Sequence, residues 1–335
     1  MNTSCVIRLN ALGDVVLTTG VLLHWHRTRN MRFTVITRKE FAPIFAGNPA
    51  VEGIIGLESA QVRAWLKTAG WLRTSFAHTL LVDLHGTLRT RILALLWQGK
   101  TRHYAKYALE RRMYRVVRLP WVRKRLTRTT VLQRYALALD ADPPPCDLLL
   151  PKIFLETREK DLAARMLRNA GVNSTFVALH PYATHAAKTW PREHWLELIR
   201  RLEANGYDWV VLGRSAHPLL SEAENPRDLT NRTELRITCA ILHHAKAMVT
   251  SDSGPMHLAT AVGTPVTALF GPTSREWGFH PCGPRDQVLS LDLPCSPCSL
   301  HGKNVCQWDF RCMRELSPEA VLDAVCSLPQ GRSDL

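Results

Sequence analysis

The sequence predicts an α/β protein built as two tandem parallel-sheet domains. Short runs rich in Val, Ile and Leu alternate with segments of helical spacing, as expected for strands covered on both faces by crossover helices. The chain has 335 residues, more than one hydrophobic core usually organises. The alternation is interrupted at Asp140-Ala141-Asp142-Pro143-Pro144-Pro145 and resumes afterwards. A hydrophobic content of 46% excludes a disordered scaffold.

The first domain is expected over residues 1–155. Residues 5–9 read as its first strand, Asn10-Ala11-Leu12-Gly13-Asp14 as a turn, and residues 15–27 as a helix. Strands follow at 33–37, 53–57 and 79–83, separated by helical segments near 40–46, 60–76 and 87–98. Ligands of such sheets bind beyond the carboxyl ends of the strands, where Asp14 and His85 fall. From Arg89 to Arg134 the chain is dense in Lys and Arg, with Glu110 the lone acid and Trp97, Tyr104, Tyr107, Tyr114, Trp121 and Tyr135 interleaved. An amphipathic basic segment of this kind suits an anionic membrane surface or a phosphorylated acceptor. Nucleic acid is a further reading, without a familiar nucleic-acid module to support it.

The second domain is expected over residues 172–316. It has strands at 176–179 and 208–213, with helices at 191–205, near 217–224 and at 233–244. Its centre is a strand at 247–250, the turn Ser251-Asp252-Ser253-Gly254, and a helix opening with Pro255 and stopping at Gly263, before a strand at 266–271. Backbone N–H groups at such a helix start attract anions, Ser253 adds a hydroxyl, and Asp252 and His257 flank the site. The plainer alternative is an Asp/Ser helix cap beside a partly exposed histidine. A last helix is read at 317–328.

Net charge is +14, which calls for an anionic partner. The apolar runs are too short for a membrane span, and residues 1–8 carry no basic and apolar leader, so cytoplasm is the default expectation. Nine cysteines in a reducing compartment do not suggest a disulfide framework. Cys295, Cys298, Cys306 and Cys312 have the ligand count of a structural zinc site, with reduced, buried or redox-paired thiols as the alternative.

Several of these stretches resemble the bacterial ADP-heptose:lipopolysaccharide heptosyltransferases, glycosyltransferase family 9. They are Val6-Ile7-Arg8-Leu9-Asn10-Ala11-Leu12-Gly13-Asp14, His180-Pro181 through Lys188-Thr189-Trp190-Pro191, Asp252-Ser253-Gly254-Pro255-Met256-His257, and Phe270-Gly271-Pro272-Thr273. The resemblance implies a GT-B fold, in which two Rossmann-like domains face their parallel sheets across a cleft. It implies acceptor binding by the first domain, donor binding by the second, a last helix at 317–328 packing back on the first domain, and inverting transfer that needs no metal or other cofactor. Asp14 then matches the general base, against the alternative that it merely caps a helix starting at Val15. Lys188 matches the contact to the donor diphosphate, Thr184 a phosphate-contacting hydroxyl and Thr233 a nucleobase-pocket position. Thr233 could equally cap its own helix. Asp252 would orient the sugar while Ser253, Gly254, Pro255 and His257 hold the diphosphate. Glu222 and Glu224 are the candidates for the ribose. Acceptor-binding candidates are His85, Arg89, Arg91, Arg123 and Lys124.

The implied partners are ADP-heptose, the phosphorylated inner core of lipopolysaccharide and the cytoplasmic surface of the inner membrane, with no nucleic acid. Transfer of another sugar to a cell-surface glycan, and a non-catalytic nucleotide- or nucleic-acid-binding protein, are the alternatives. A dehydrogenase is disfavoured, because the first turn has one glycine where a dinucleotide fingerprint needs three.

Overall fold

The named strands form two parallel five-stranded sheets in the computed structural model, which describes residues 3–220, 225–303 and 306–329. In chain order the first set is β1 (Thr3–Ile7), α1 (Leu12–Arg29), β2 (Arg32–Arg38), β3 (Val51–Leu57), α2 (Ser59–Arg63), α3 (Trp65–Ser75), β4 (Leu80–Asp83), α4 (Leu88–Leu96) and β5 (Thr101–His103). Next come α5 (Ala108–Val117), α6 (Pro120–Thr127), α7 (Val131–Ala136) and α8 (Thr157–Asn169). The second set is β6 (Phe176–His180), α9 (Arg192–Ala204), β7 (Asp208–Val211), α10 (Leu235–His244), β8 (Ala247–Ser251), α11 (Gly254–Val262), β9 (Val266–Phe270) and β10 (Gln287–Ser290). Helices α12 (Arg311–Arg314) and α13 (Pro318–Cys326) complete the elements.

The strand orders are β3-β2-β1-β4-β5 and β10-β9-β8-β6-β7. Each order reverses once, between β1 and β4 and between β8 and β6. A crevice opens beyond the carboxyl ends of the strands at such a reversal, and this fixes where each half can hold a ligand.

The chain divides into two compact units, residues 1–107 with 129–154 and residues 108–128 with 155–335. The first sheet buries Cys5, Ile7, Ile36, Leu57, Leu81 and Leu93 in one cluster with Trp65 and Trp97. Gly20 lets the returning backbone lie against α1: a Cβ there would stand 2.2 Å from Leu150 O and 2.3 Å from Leu149 O. The second core gathers Val177, Leu179, Trp190, Trp195, Trp209 and Leu269.

Four expectations change. The segment 108–128 groups with the second unit, so the basic stretch is not one surface of the first. The last helix, α13, extends the second core past the expected end at residue 316, burying Val321 and Val325 there. The helix expected near 217–224 is not helical over 217–220, and residues 221–224, with Glu222 and Glu224, lie outside the described residues. The segment 60–76 breaks into α2 and α3 at Ala64, whose amide closes onto Ala60 O.

Candidate active site

In the first unit the functional groups collect where β1 and β4 end. Helix α1 begins at Leu12 with Ala11 as its cap residue, so Asp14 stands inside the first turn and the expected start at Val15 is corrected, while the Asp14 carboxylate still helps to cap the helix by accepting from the Ala11 amide at 3.4 Å. Its Oδ1 accepts from Tyr135 Oη at 2.6 Å, and its Oδ2 is ion-paired with Arg8 Nη2. Tyr135, on α7, is fully buried. Burial, with the Asp14 charge adding to it, pushes its phenol well above the ordinary range, although Arg8 opposes the shift. The hydroxyl therefore keeps its proton and donates it to Asp14. Arg8 is 5% exposed and also donates through Nη1 to Leu84 O at 2.5 Å. Burial works against its charge, but Asp14, Tyr135 and Tyr104 outweigh that cost and raise its pKa.

The loop after β4 is held by Asp83, whose Oδ1 accepts from the amides of His85 (2.9 Å) and Gly86 (2.8 Å). Lys106 Nζ donates to His85 O and Gly86 O. Burial, then Arg8 and Lys106, depress the His85 pKa to about 3, so the imidazole is neutral at ordinary pH. Of the expected acceptor contacts, His85, Arg89 and Arg91 lie in this unit, with Arg89 and Arg91 exposed. Arg123 and Lys124 sit on α6, which groups with the second unit, and there Arg123 Nε meets Glu276 Oε1 at 2.9 Å.

In the second unit the site forms at the ends of β6, β8 and β9. Lys188 Nζ lies 2.6 Å from Asp252 Oδ2, which also accepts from Thr273 Oγ1 at 2.6 Å. Lys188 further donates to Asp252 O at 3.2 Å. Helix α11 has Ser253 as its cap residue but no side-chain cap; the Ser253 hydroxyl instead meets Thr250 Oγ1 at 3.1 Å. Pro255 occupies the first turn, and Gly263 ends the helix at φ 83°, both as the sequence led one to expect. His257 is buried in the helix rather than partly exposed. Thr184 is exposed near Lys188, while Thr233 bonds Thr238 Oγ1 at 2.8 Å and leaves the cap of α10 to Glu234.

Positive charge concentrates around Lys188 beyond what the motifs revealed. Burial, then Arg111, Lys188 and Lys303, lower the His301 pKa. Gly302 at φ 84° allows this loop to close over the lysine stem, since a Cβ there would stand 2.9 Å from Lys188 Cγ. A helix head and several cations in one place suit a diphosphate.

Cys295, Cys298, Cys306 and Cys312 all line one cavity of about 180 Å³. Cys306 Sγ accepts from the amides of Trp308 (3.4 Å) and Phe310 (3.2 Å). Among the described residues, no group of three or more His, Cys, Asp or Glu side chains is arranged to hold a metal ion.

The molecule carries a carboxylate held by two donors at the strand ends of one parallel sheet and a lysine beside a helix head at the strand ends of the other. Two parallel sheets of this kind are the architecture of a GT-B glycosyltransferase. The chain belongs to glycosyltransferase family 9 (heptosyltransferase), whose model matches residues 75–308. It is 28% identical over 320 residues to lipopolysaccharide heptosyltransferase 1 of Pseudomonas aeruginosa, covering 88% of this chain and 85% of that one. It is 31% identical over 218 residues to lipopolysaccharide heptosyltransferase 2 of Salmonella typhimurium, covering 59% and 61%. In fold it is similar to the E. coli ADP-heptose lps heptosyltransferase II, with a TM-score of 0.70, 98% of each chain covered and 21% identity.

The residues that sequence reasoning missed are Arg8 and Tyr135 as partners of Asp14, Thr273 as a partner of Asp252, and Arg111, His301 and Lys303 around Lys188. A charged residue directly after a buried strand was the available signal for Arg8.

Proposed function

We propose that the protein transfers heptose from ADP-heptose to the phosphorylated inner core of lipopolysaccharide, with inversion and without a catalytic metal. Asp14 takes the proton of the acceptor hydroxyl as that oxygen bonds to the anomeric carbon. The bond from that carbon to the diphosphate breaks, and its electron pair leaves with ADP. Lys188, the head of α11 and the surrounding cations stabilise the charge gathering on the leaving diphosphate, the task a divalent cation performs elsewhere. The observation that carries this reading is the Lys188–Asp252 pair at an α11 head that no side chain caps.

Attachment to the cytoplasmic face of the inner membrane is part of the proposal. Leu109, Val116 and Trp121 on α5 and α6 are exposed, as are Arg112, Lys124 and Arg125 beside them. This combination supports docking on anionic lipid. Among the described residues no helix is long and apolar enough to cross a membrane.

The test is calorimetric titration with ADP and UDP, followed by transfer assays with ADP-heptose in EDTA and assignment of the product anomer by NMR. Binding of ADP but not UDP, with EDTA-resistant formation of the inverted anomer, is the expected result. UDP selectivity would overturn the donor, and activity abolished by EDTA would overturn the metal-free mechanism.

A further inference from the structure

We propose that Arg8 and Tyr135 are positioning residues that act on the reaction through Asp14, holding its carboxylate in one orientation. This deepens the proposed function and rests on Asp14 as the general base.

The three side chains converge from distant parts of the chain. Arg8 follows β1, Asp14 lies in the first turn of α1, and Tyr135 comes from α7, 121 residues beyond Asp14. Each carboxylate oxygen meets a different donor, Tyr135 Oη on Oδ1 and Arg8 Nη2 on Oδ2. Two donors on opposite oxygens fix both the rotation and the tilt of the carboxylate, which one donor would not do. The outer donors are themselves held. Arg8 is tied to Leu84 O, and its guanidinium carbon lies 5.5 Å from the Tyr135 ring centroid. Tyr104 packs edge-on against Tyr135 at 4.8 Å between centroids.

Burial argues against the two simpler roles. Arg8 and Tyr135 are both buried: Tyr135 gives its hydroxyl to Asp14 and Arg8 its two Nη groups to Asp14 and Leu84 O. Arg8 Nε has no partner among the described residues but is itself shut off from solvent, so neither side chain stands open to a bound acceptor. Stability gives little reason to keep the group either, because desolvating a buried ion pair cancels most of its attraction and an apolar replacement often serves as well. Asp14 keeps the most side-chain access to solvent of the three, 17% against 6% for Arg8. The arrangement is thus a partly exposed carboxylate on a buried scaffold. A base with the right charge but the wrong aim loses rate without losing substrate, because proton transfer needs contact geometry and binding does not.

The experiment is a double-mutant cycle on the full chain. It combines Asp14→Asn with Tyr135→Phe and with Arg8→Met, and includes Arg8→Lys as the conservative variant. Folding is checked by thermal melts and ADP affinity by calorimetry. Tyr135→Phe is expected to lower kcat by about 10-fold and Arg8→Met by about 100-fold, with KM values and ADP affinity within about 2-fold of the parent. Arg8→Lys should recover part of the loss. In the Asp14→Asn background, neither substitution should lower the rate further, since residues acting through one group are not additive.

Folded Tyr135→Phe and Arg8→Lys proteins with parental kcat, beside a silent Asp14→Asn, would overturn the inference and leave the base intact. Additive losses in the Asp14→Asn background would overturn it too, by showing that the two residues act on something else. Full turnover by Asp14→Asn would instead remove the base and the inference together. Tyr135→Phe keeps the ring packing, so the cycle remains decisive if Arg8→Met does not fold.

Discussion

The two switch points of the molecule restrain charge in opposite ways. Behind β1 and β4, the proposed working group is an acid, and its donors Arg8 and Tyr135 are buried. Behind β6 and β8, the proposed working group is a cation, and its partner Asp252 is only partly buried beside an uncapped helix head. In the proposed reaction, the first site receives a ligand that brings a proton and no charge to the carboxylate. The second holds an internal anion where the proposed diphosphate would bring a stronger one, so Lys188 can exchange a carboxylate for phosphate oxygens without being left unpaired. Equivalent topology therefore does not dictate equivalent electrostatics.

The sharpest break in this comparison is removal of each working group. Asp14→Asn is expected to cut kcat by about 10³-fold while ADP affinity stays at the parental value. Turnover within a few-fold of the parent would end the assignment of a base to the first unit. Lys188→Ala is expected to weaken ADP binding by about 10- to 100-fold and to lower kcat by about 10²-fold, measured by calorimetry and transfer assay. Unchanged ADP affinity would show that the helix head alone holds the diphosphate.

A smaller effect is on stability against pH, and both sites contribute to it, since His85 is held neutral as well. His180, buried at the end of β6, has its pKa lowered by burial from 6.5 to about 4. Below pH 6.5 the unfolded chain takes up a proton that the folded chain refuses, so stability falls as pH drops from about 6.5 to 4. The loss across that window is roughly 3 kcal/mol. Denaturant melts from pH 7 to pH 4.5 should show this slope, reduced in a His180→Asn protein; an unchanged slope would assign the acid sensitivity elsewhere.

The smallest effect expected is at Arg123, whose side chain is 63% exposed in its pair with Glu276. Arg123→Ala should cost less than about 1 kcal/mol in a melt. A larger loss would mean that α6 is anchored to the second unit mainly through this pair.

Most of the scaffold was legible because its inner strands are continuous apolar runs. Phe176-Val177-Ala178-Leu179 and Ala247-Met248-Val249-Thr250 have no other stable destination than a sheet covered on both sides. The strands that escaped, Thr101–His103 and Gln287–Ser290, are short, polar and at the sheet edges, where one-sided burial leaves no such pattern. The motifs also marked Asp14, Lys188 and Asp252, but not what they touch. Tyr135 had looked like one more aromatic in a basic stretch, because its role depends on the chain returning to α1 through tertiary packing. The same holds for Arg123: its charge was legible and the unit it groups with was not.

The grouping of residues 108–128 with the second unit means that the chain passes from one unit to the other after residues 107, 128 and 154. A single genetic crossover near residue 155 would then separate the second unit from two of its own helices, α5 and α6. Hybrids that exchange donor halves between relatives by one splice should inherit mismatched surfaces around Tyr114, Arg123 and Glu276. Exchange of two blocks together, 108–128 and 155–335, would keep those partners in one lineage.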